Sequence, residues 1–365
     1  MTLVYVHGIG NRPGRSYEAA ARRREALFRR VLLPAAGLPD TPIVMPHWGC
    51  LTREPRWGLA SLPHRGTERL GSDADEREAL VEQSPSLLIV ARQSVTDALD
   101  ALYTLLEPRA DDEHLLTRQA PVIVQYICRH ESLHPHEPEH VRYPWLNEVH
   151  NDIEFVDRLV AEIWPPEGET LGAGDRIRDL FVSASRRFNP TAMVVGAGRR
   201  LVSANTALLL ADVMQYTALR GTREQPGEVI SLVARAIEEA AAPRVVLAHS
   251  MGGTIVYDLL SHYRPDLNVD VFLTVGSQVG LFEELSLFRE SRPGEEAGQV
   301  PLPHNVRNWI NVVDPADPLS FRVSPVFAGA GDYTYPSRAV WAHTAYLKQP
   351  TFHHRVGGRI AEALA

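Results

Sequence analysis

The stretch Arg244–Thr254, RVVLAHSMGGT, runs from an apolar segment into a serine and a pair of glycines. Val245, Val246 and Leu247 have the unbroken hydrophobicity of a strand buried on both faces. A tight turn from such a strand into a helix crowds the backbone, so the residues two before and two after its apex must be small. Ala248 and Gly252 hold those places, with Ser250 at the apex. This is a G-x-S-x-G elbow with alanine in the first glycine position. The turn would raise the Ser250 hydroxyl above the sheet and aim the Met251 N–H toward an incoming carbonyl oxygen. A serine after a strand can also simply cap the next helix, and the rest of the chain has to decide between the two.

Outward from the elbow the rhythm is β–α. A helix over Glu228–Ala241 leads into strand Val245–Ala248, and a helix over Gly253–His262 leads out. Strands Val269–Val275 and Val306–Val313 follow, and a helix over His353–Leu364 closes the chain. At the other end, Thr2–Val6 reads as a buried strand that breaks at His7-Gly8-Ile9-Gly10. A helix over Tyr17–Leu33 and a strand at Ile43–Met45 come next. Such units imply parallel strands with right-handed crossovers. Between about Gly49 and Pro226 the pattern is helical, over Ala79–Leu106, Asn151–Trp164, Asp175–Phe188 and Arg200–Leu219. Pro121–Cys128 reads as a strand or a buried segment, which periodicity does not separate. The expected organisation is one sheet domain built from residues 1–48 and 227–365. It carries a mostly helical insertion over 49–226, a lid or cap, because stretches of that length are rarely structureless. The aliphatic Arg200–Leu219 segment would pack inside that insertion, line an acyl pocket or move as a lid.

A serine hydroxyl needs a base, a group to orient that base, and a second oxyanion donor. The strand ending in His7-Gly8-Ile9-Gly10 leaves a backbone N–H, that of Ile9, free to point into a cleft. For the acid, NWINVVDPADPLS (Asn308–Ser320) is a strand ending in two aspartates. Asp317 is favoured, because a carboxylate in the loop beyond the strand can reach sideways to a histidine. Asp314 is the alternative acid or a structural partner of that loop. For the base, His343 in AVWAHTAY (Ala339–Tyr346) follows an apolar segment and precedes the closing helix. His304, His353 and His354 compete, whereas His249 adjoins the serine in a tight turn and points away from it.

The order Ser250, Asp317, His343 is that of α/β-hydrolases. VHGIG (Val6–Gly10) followed by AHSMGG (Ala248–Gly253) resembles the small lipases of that superfamily, as does FLTVGSQVGL (Phe272–Leu281) after the elbow. The resemblance covers roughly residues 1–50 and 227–365. It implies an α/β-hydrolase-type fold, a mostly parallel central sheet flanked by helices, without the antiparallel strands that open many members. It also implies carboxylic ester hydrolysis through an acyl-enzyme, a Ser250–His343–Asp317 triad, and an oxyanion hole from Ile9 and Met251. An amidase, peptidase or thioesterase would use the same residues, and an inactive binding or scaffold module on the same fold is the rival of a different class. No cofactor is expected, and the partner would be a small or lipid ester.

Composition narrows the field. The 365 residues carry a formal net charge of −8, against a general nucleic-acid binder. Two cysteines, Cys50 and Cys128, are too few for a disulfide framework. No long uncharged apolar run suggests a bilayer span, leaving at most transient contact with a membrane surface. The start, MTLVYVHG, shows no leader, so the cytoplasm is the expected location. His136-Glu137-Pro138-Glu139-His140 spells a zinc-protease motif, but Pro138 disfavours the helix that motif requires, and no metal site is expected. GIGNRPGRS (Gly8–Ser16) lacks the third glycine of a dinucleotide loop and the Gly-Lys of a phosphate loop.

Overall fold

The computed structural model describes residues 1–52, 86–106, 110–133, 137–165, 171–188, 211–292, 298–339 and 342–365. The chain divides into two compact units. One comprises residues 1–52, 116–124 and 211–365, and the other residues 53–115 and 125–210.

The first unit is built on a six-stranded parallel sheet. Its strands are β1 (Thr2–Val6), β2 (Ile43–Val44), β3 (Arg244–His249), β4 (Val269–Val275), β5 (Val306–Val313) and β6 (Ala330–Thr334). They lie in the order β2-β1-β3-β4-β5-β6. Register follows from the alternation of side chains: Val4 sits beside Val246, and Val246 beside Phe272. Val4, Val6, Val246, Phe272 and Trp309 pack on one face against Ile230, Val233 and Ile237 of α2 (Glu228–Glu238) and Ile255 of α3 (Met251–Asp258). Leu3, Tyr5, Leu247, Leu273 and Ile310 pack on the other against Phe28 and Leu32, which continue from α1 (Arg15–Leu27), and against Phe352 and Val356 of α4 (Pro350–Leu364). Both faces are covered, which is why the central strands read as continuous apolar runs. Each fully buried Val, Leu or Phe contributes roughly 1.5–3 kcal/mol.

The chain moves from β1 to β2 on one side and re-enters at β3 on the other. The carboxyl ends of β1 and β3 therefore flank a topological switch point, where open parallel sheets form a crevice. His7-Gly8-Ile9-Gly10 and Ser250 both sit there.

Several expectations are corrected. Residues 211–226, assigned by sequence to the insertion, belong to the sheet unit. Helix 211–219 is fixed there because the Tyr216 hydroxyl and the Arg220 guanidinium both donate to the fully buried Asp258 carboxylate of α3, at 2.7 and 2.9 Å. Of the two readings of Pro121–Cys128, the buried segment holds and the strand does not: it lies inside helix Ala110–Leu133, with Ile123, Val124 and Ile127 buried. The run Ala79–Leu106 is two helices where described, Leu87–Gln93 and Val95–Leu105, since the Ser94 hydroxyl accepts the Asp97 N–H and starts a new helix. Residues 79–85 and 200–210 of the expected helices lie outside the described residues. Strand β6 was not expected: AGDYT is a half-exposed edge with no apolar alternation.

The described part of the second unit is helical. Helices Val95–Leu105, Asp152–Ile163 and Leu171–Ser185 bury Leu99, Leu102, Phe155, Leu159 and Phe181, and the Tyr103 and Phe181 rings meet edge-on with centroids 5.7 Å apart. Among the described residues no helix is long and apolar enough to cross a membrane.

Candidate active site

Ser250 occupies the step from β3 into α3 with φ 55° and ψ −130°, a backbone conformation that non-glycine residues rarely adopt. The surroundings enforce it. A Cβ at Gly252 would lie 2.3 Å from the Val6 carbonyl oxygen, and one at Gly8 would lie 2.7 Å from the Ser250 Cβ. The His7–Gly10 turn and the elbow thus press against each other, and only glycine fits at these two contacts. The Ser250 side chain makes no cap hydrogen bond to α3, so the capping alternative is absent.

The hydroxyl is engaged elsewhere. Ser250 Oγ is 2.8 Å from His343 Nε2, and His343 Nδ1 lies 2.9 and 3.2 Å from the two Asp317 carboxylate oxygens. With Nδ1–H donating to Asp317, Nε2 is left to accept the serine proton. Asp317 is fully buried in its side chain, while that of His343 keeps 18% exposure. The acid is held by further donors: the Leu319 N–H at 2.9 Å and the Tyr346 hydroxyl at 3.0 Å. Gly276, at the end of β4 with φ +55°, gives the carboxylate room, since a Cβ there would stand 2.9 Å from Asp317 Oδ2. Gln278 donates to the Leu319 carbonyl at 2.7 Å and steadies the same loop.

Asp314 takes the structural role. Its carboxylate accepts the N–H and hydroxyl of Ser337 and the Ala316 N–H, and does not reach His343. The competing histidines fall away by location. His304 is exposed, His353 is buried between Phe28 and Phe352, and burial pushes its imidazole down to about 3. His249 points away from the serine as expected, but it is not idle. Burial, helped by the charge of His343, holds it well below the usual histidine range, and its neutral Nε2–H donates to the His343 carbonyl at 2.6 Å.

The two expected oxyanion donors sit on peptides whose carbonyls are anchored. The Gly8 carbonyl accepts from His7 Nδ1–H at 2.7 Å and from the Asn11 amide at 2.9 Å. The Ser250 carbonyl accepts from the Ser277 hydroxyl and the Gly253 N–H, both at 2.9 Å. In a planar trans peptide the N–H points opposite to the C=O. The N–H groups of Ile9 and Met251 therefore face away from these anchors. Burial pushes His7 down to about 3, so this ring is neutral and stacks on Trp48 with centroids 5.0 Å apart.

Sequence reading missed three participants. Asp212 is fully buried, accepts the Gly10 N–H at 3.1 Å and pairs with Arg12 at 2.6 Å, fixing the turn that carries Ile9. Its signal was a lone acid after the aliphatic run Leu208–Leu210. Ser277 lies unmarked within FLTVGSQVGL, and Tyr346 within AVWAHTAY. In the metal-like motif, helix Glu139–Arg142 begins after Pro138, and the Glu139 carboxylate accepts the Val95 N–H and pairs with Arg142. His136 lies outside the described residues, and among those described no cluster of His, Cys, Asp or Glu is placed to hold a metal ion. No protein-family model, curated protein or solved structure matches the chain.

Proposed function

We propose that the protein is a serine hydrolase of α/β-hydrolase type that cleaves carboxylic esters through an acyl-enzyme. The observation that carries this reading is the unbroken hydrogen-bonded chain Ser250 Oγ–His343–Asp317, set on a strained turn at the switch point of a parallel sheet. His343 Nε2 takes the Ser250 proton as Oγ attacks the substrate carbonyl, and Asp317 holds the ring and offsets the imidazolium charge. The developing oxyanion accepts from the Ile9 and Met251 N–H groups, each typically worth about 3 kcal/mol. His343 then passes its proton to the leaving alkoxide. A water molecule, deprotonated by the same ring, releases the acid and restores Ser250. The anchored Gly8 and Ser250 carbonyls keep both donors oriented before substrate arrives, so no reorganisation is needed in the transition state.

The test is labelling with a fluorophosphonate, which reacts only with an activated serine. Wild type is expected to be modified at Ser250, and Ser250→Ala to be inert. Hydrolysis of p-nitrophenyl esters of increasing acyl length then reads the substrate. A folded wild type that takes up no probe and turns over no ester would overturn the proposal.

A further inference from the structure

We propose that Tyr346 is a positioning residue that sets how much negative charge Asp317 presents to His343, and thereby the lowest pH at which His343 is free to act as base. This inference rests on the serine hydrolase reading above. His343 and Tyr346 stand three residues apart in one helical run, Ala342–Ala345 continuing into Tyr346–Lys348, so both side chains leave on the same side. Their polar atoms meet on a single oxygen: Asp317 Oδ2 accepts His343 Nδ1–H at 2.9 Å and the Tyr346 hydroxyl at 3.0 Å. The direction of the phenolic proton is fixed from behind, because Tyr346 Oη accepts the Asp314 N–H at 3.1 Å and so sends its own proton to Asp317. Burial and the neighbouring carboxylate raise the phenol pKa, which keeps that proton in place.

The consequence follows from charge sharing. A buried carboxylate that divides its charge among three donors pulls less on an imidazolium than one with two. Tyr346 therefore keeps His343 neutral to lower pH than the bare Asp–His pair would allow. The other groups facing this cluster do not take over the role. His249, from the elbow, is held neutral with its ring 4.9 Å from that of His343, and the Arg24 guanidinium of α1 depresses His249 further. The Asp314 carboxylate is occupied by Ser337 and Ala316. Tyr335 turns its hydroxyl to Thr351, 2.9 Å away, and Gly276 contributes no side chain.

The experiment is the pH profile of kcat/KM for p-nitrophenyl acetate, whose acidic limb reports His343 in the free enzyme. In Tyr346→Phe the ring still packs on Phe352 and Tyr335. The acidic limb is expected to move up by about half a pH unit, with kcat lower by about tenfold and KM unchanged. Site-specific 3-fluorotyrosine at position 346, the same ring with a stronger donor, is expected to move the limb down. Ser337→Ala, which strips Asp314 of a donor, is expected to lower the melting temperature without moving the limb. Fluorophosphonate labelling of wild type separates the two levels: an unlabelled wild type sinks the hydrolase reading. A labelled wild type whose limb stays fixed in both position-346 variants overturns this inference alone.

Discussion

The elbow around Ser250 and the acid–base segment from Asp314 to Tyr346 are assembled by opposite means. The elbow is held by short-range sterics: Gly8, Gly252 and the Val6 carbonyl leave one path for the chain, and the serine is carried along it. The acid–base segment has no such corset. Its two key side chains lie 26 residues apart and are brought together by Tyr346, Leu319, Gln278 and the His249 bond to the His343 carbonyl. The first region is a shape and the second a network, so they are expected to fail differently.

The largest expected effect tests the network. Asp317→Asn is expected to lower kcat by about four orders of magnitude while the protein stays folded, because the wrong imidazole tautomer then faces Ser250. Asp314→Asn is expected to keep most of the activity per folded molecule and lose about 1–3 kcal/mol of stability, as Ser337 and Ala316 lose a charged acceptor. Equal losses of kcat in the two variants, measured alongside urea unfolding, would erase the distinction between them.

The elbow responds through the fold. In Gly252→Ala the added methyl meets the Val6 carbonyl at 2.3 Å, so β1 and α3 must separate. A destabilisation of about 1–3 kcal/mol or more is expected, together with loss of fluorophosphonate labelling. A variant with wild-type melting temperature and full labelling would show that sterics do not shape this turn.

An effect graded by pH is common to both regions. His7 supports the His7–Gly10 turn and His353 lies in the core beside Phe28 and Phe352, and burial lowers both to about 3. The unfolded chain binds a proton at each below about 6.5, whereas the folded chain does not until about 3. The stability these neutral rings allow is thus complete above about 6.5 and falls as pH drops toward 3, by up to about 1.4 kcal/mol per pH unit for each ring. Urea midpoints followed from pH 7 to pH 4 measure this, and a flat profile would mean that the rings are not buried neutral in solution.

Neighbouring residues along the chain already specify the parallel β–α alternation at both chain ends, the elbow with Ala248 and Gly252 flanking Ser250, and the order of serine, aspartate and histidine. These are legible because strand burial and steric crowding act between residues close along the chain. Tertiary structure alone separated Asp317 from Asp314, and set His343 apart from His353. It also placed Asp212 behind the His7–Gly10 turn, turned Tyr346 onto Asp317, and returned residues 211–226 to the sheet unit. Each of those outcomes depends on a partner tens to hundreds of residues away, such as Asp212 for Arg12 or Tyr346 for Asp317. A buried polar group takes whichever partner the finished packing brings within hydrogen-bond reach, and chain spacing does not encode that partner.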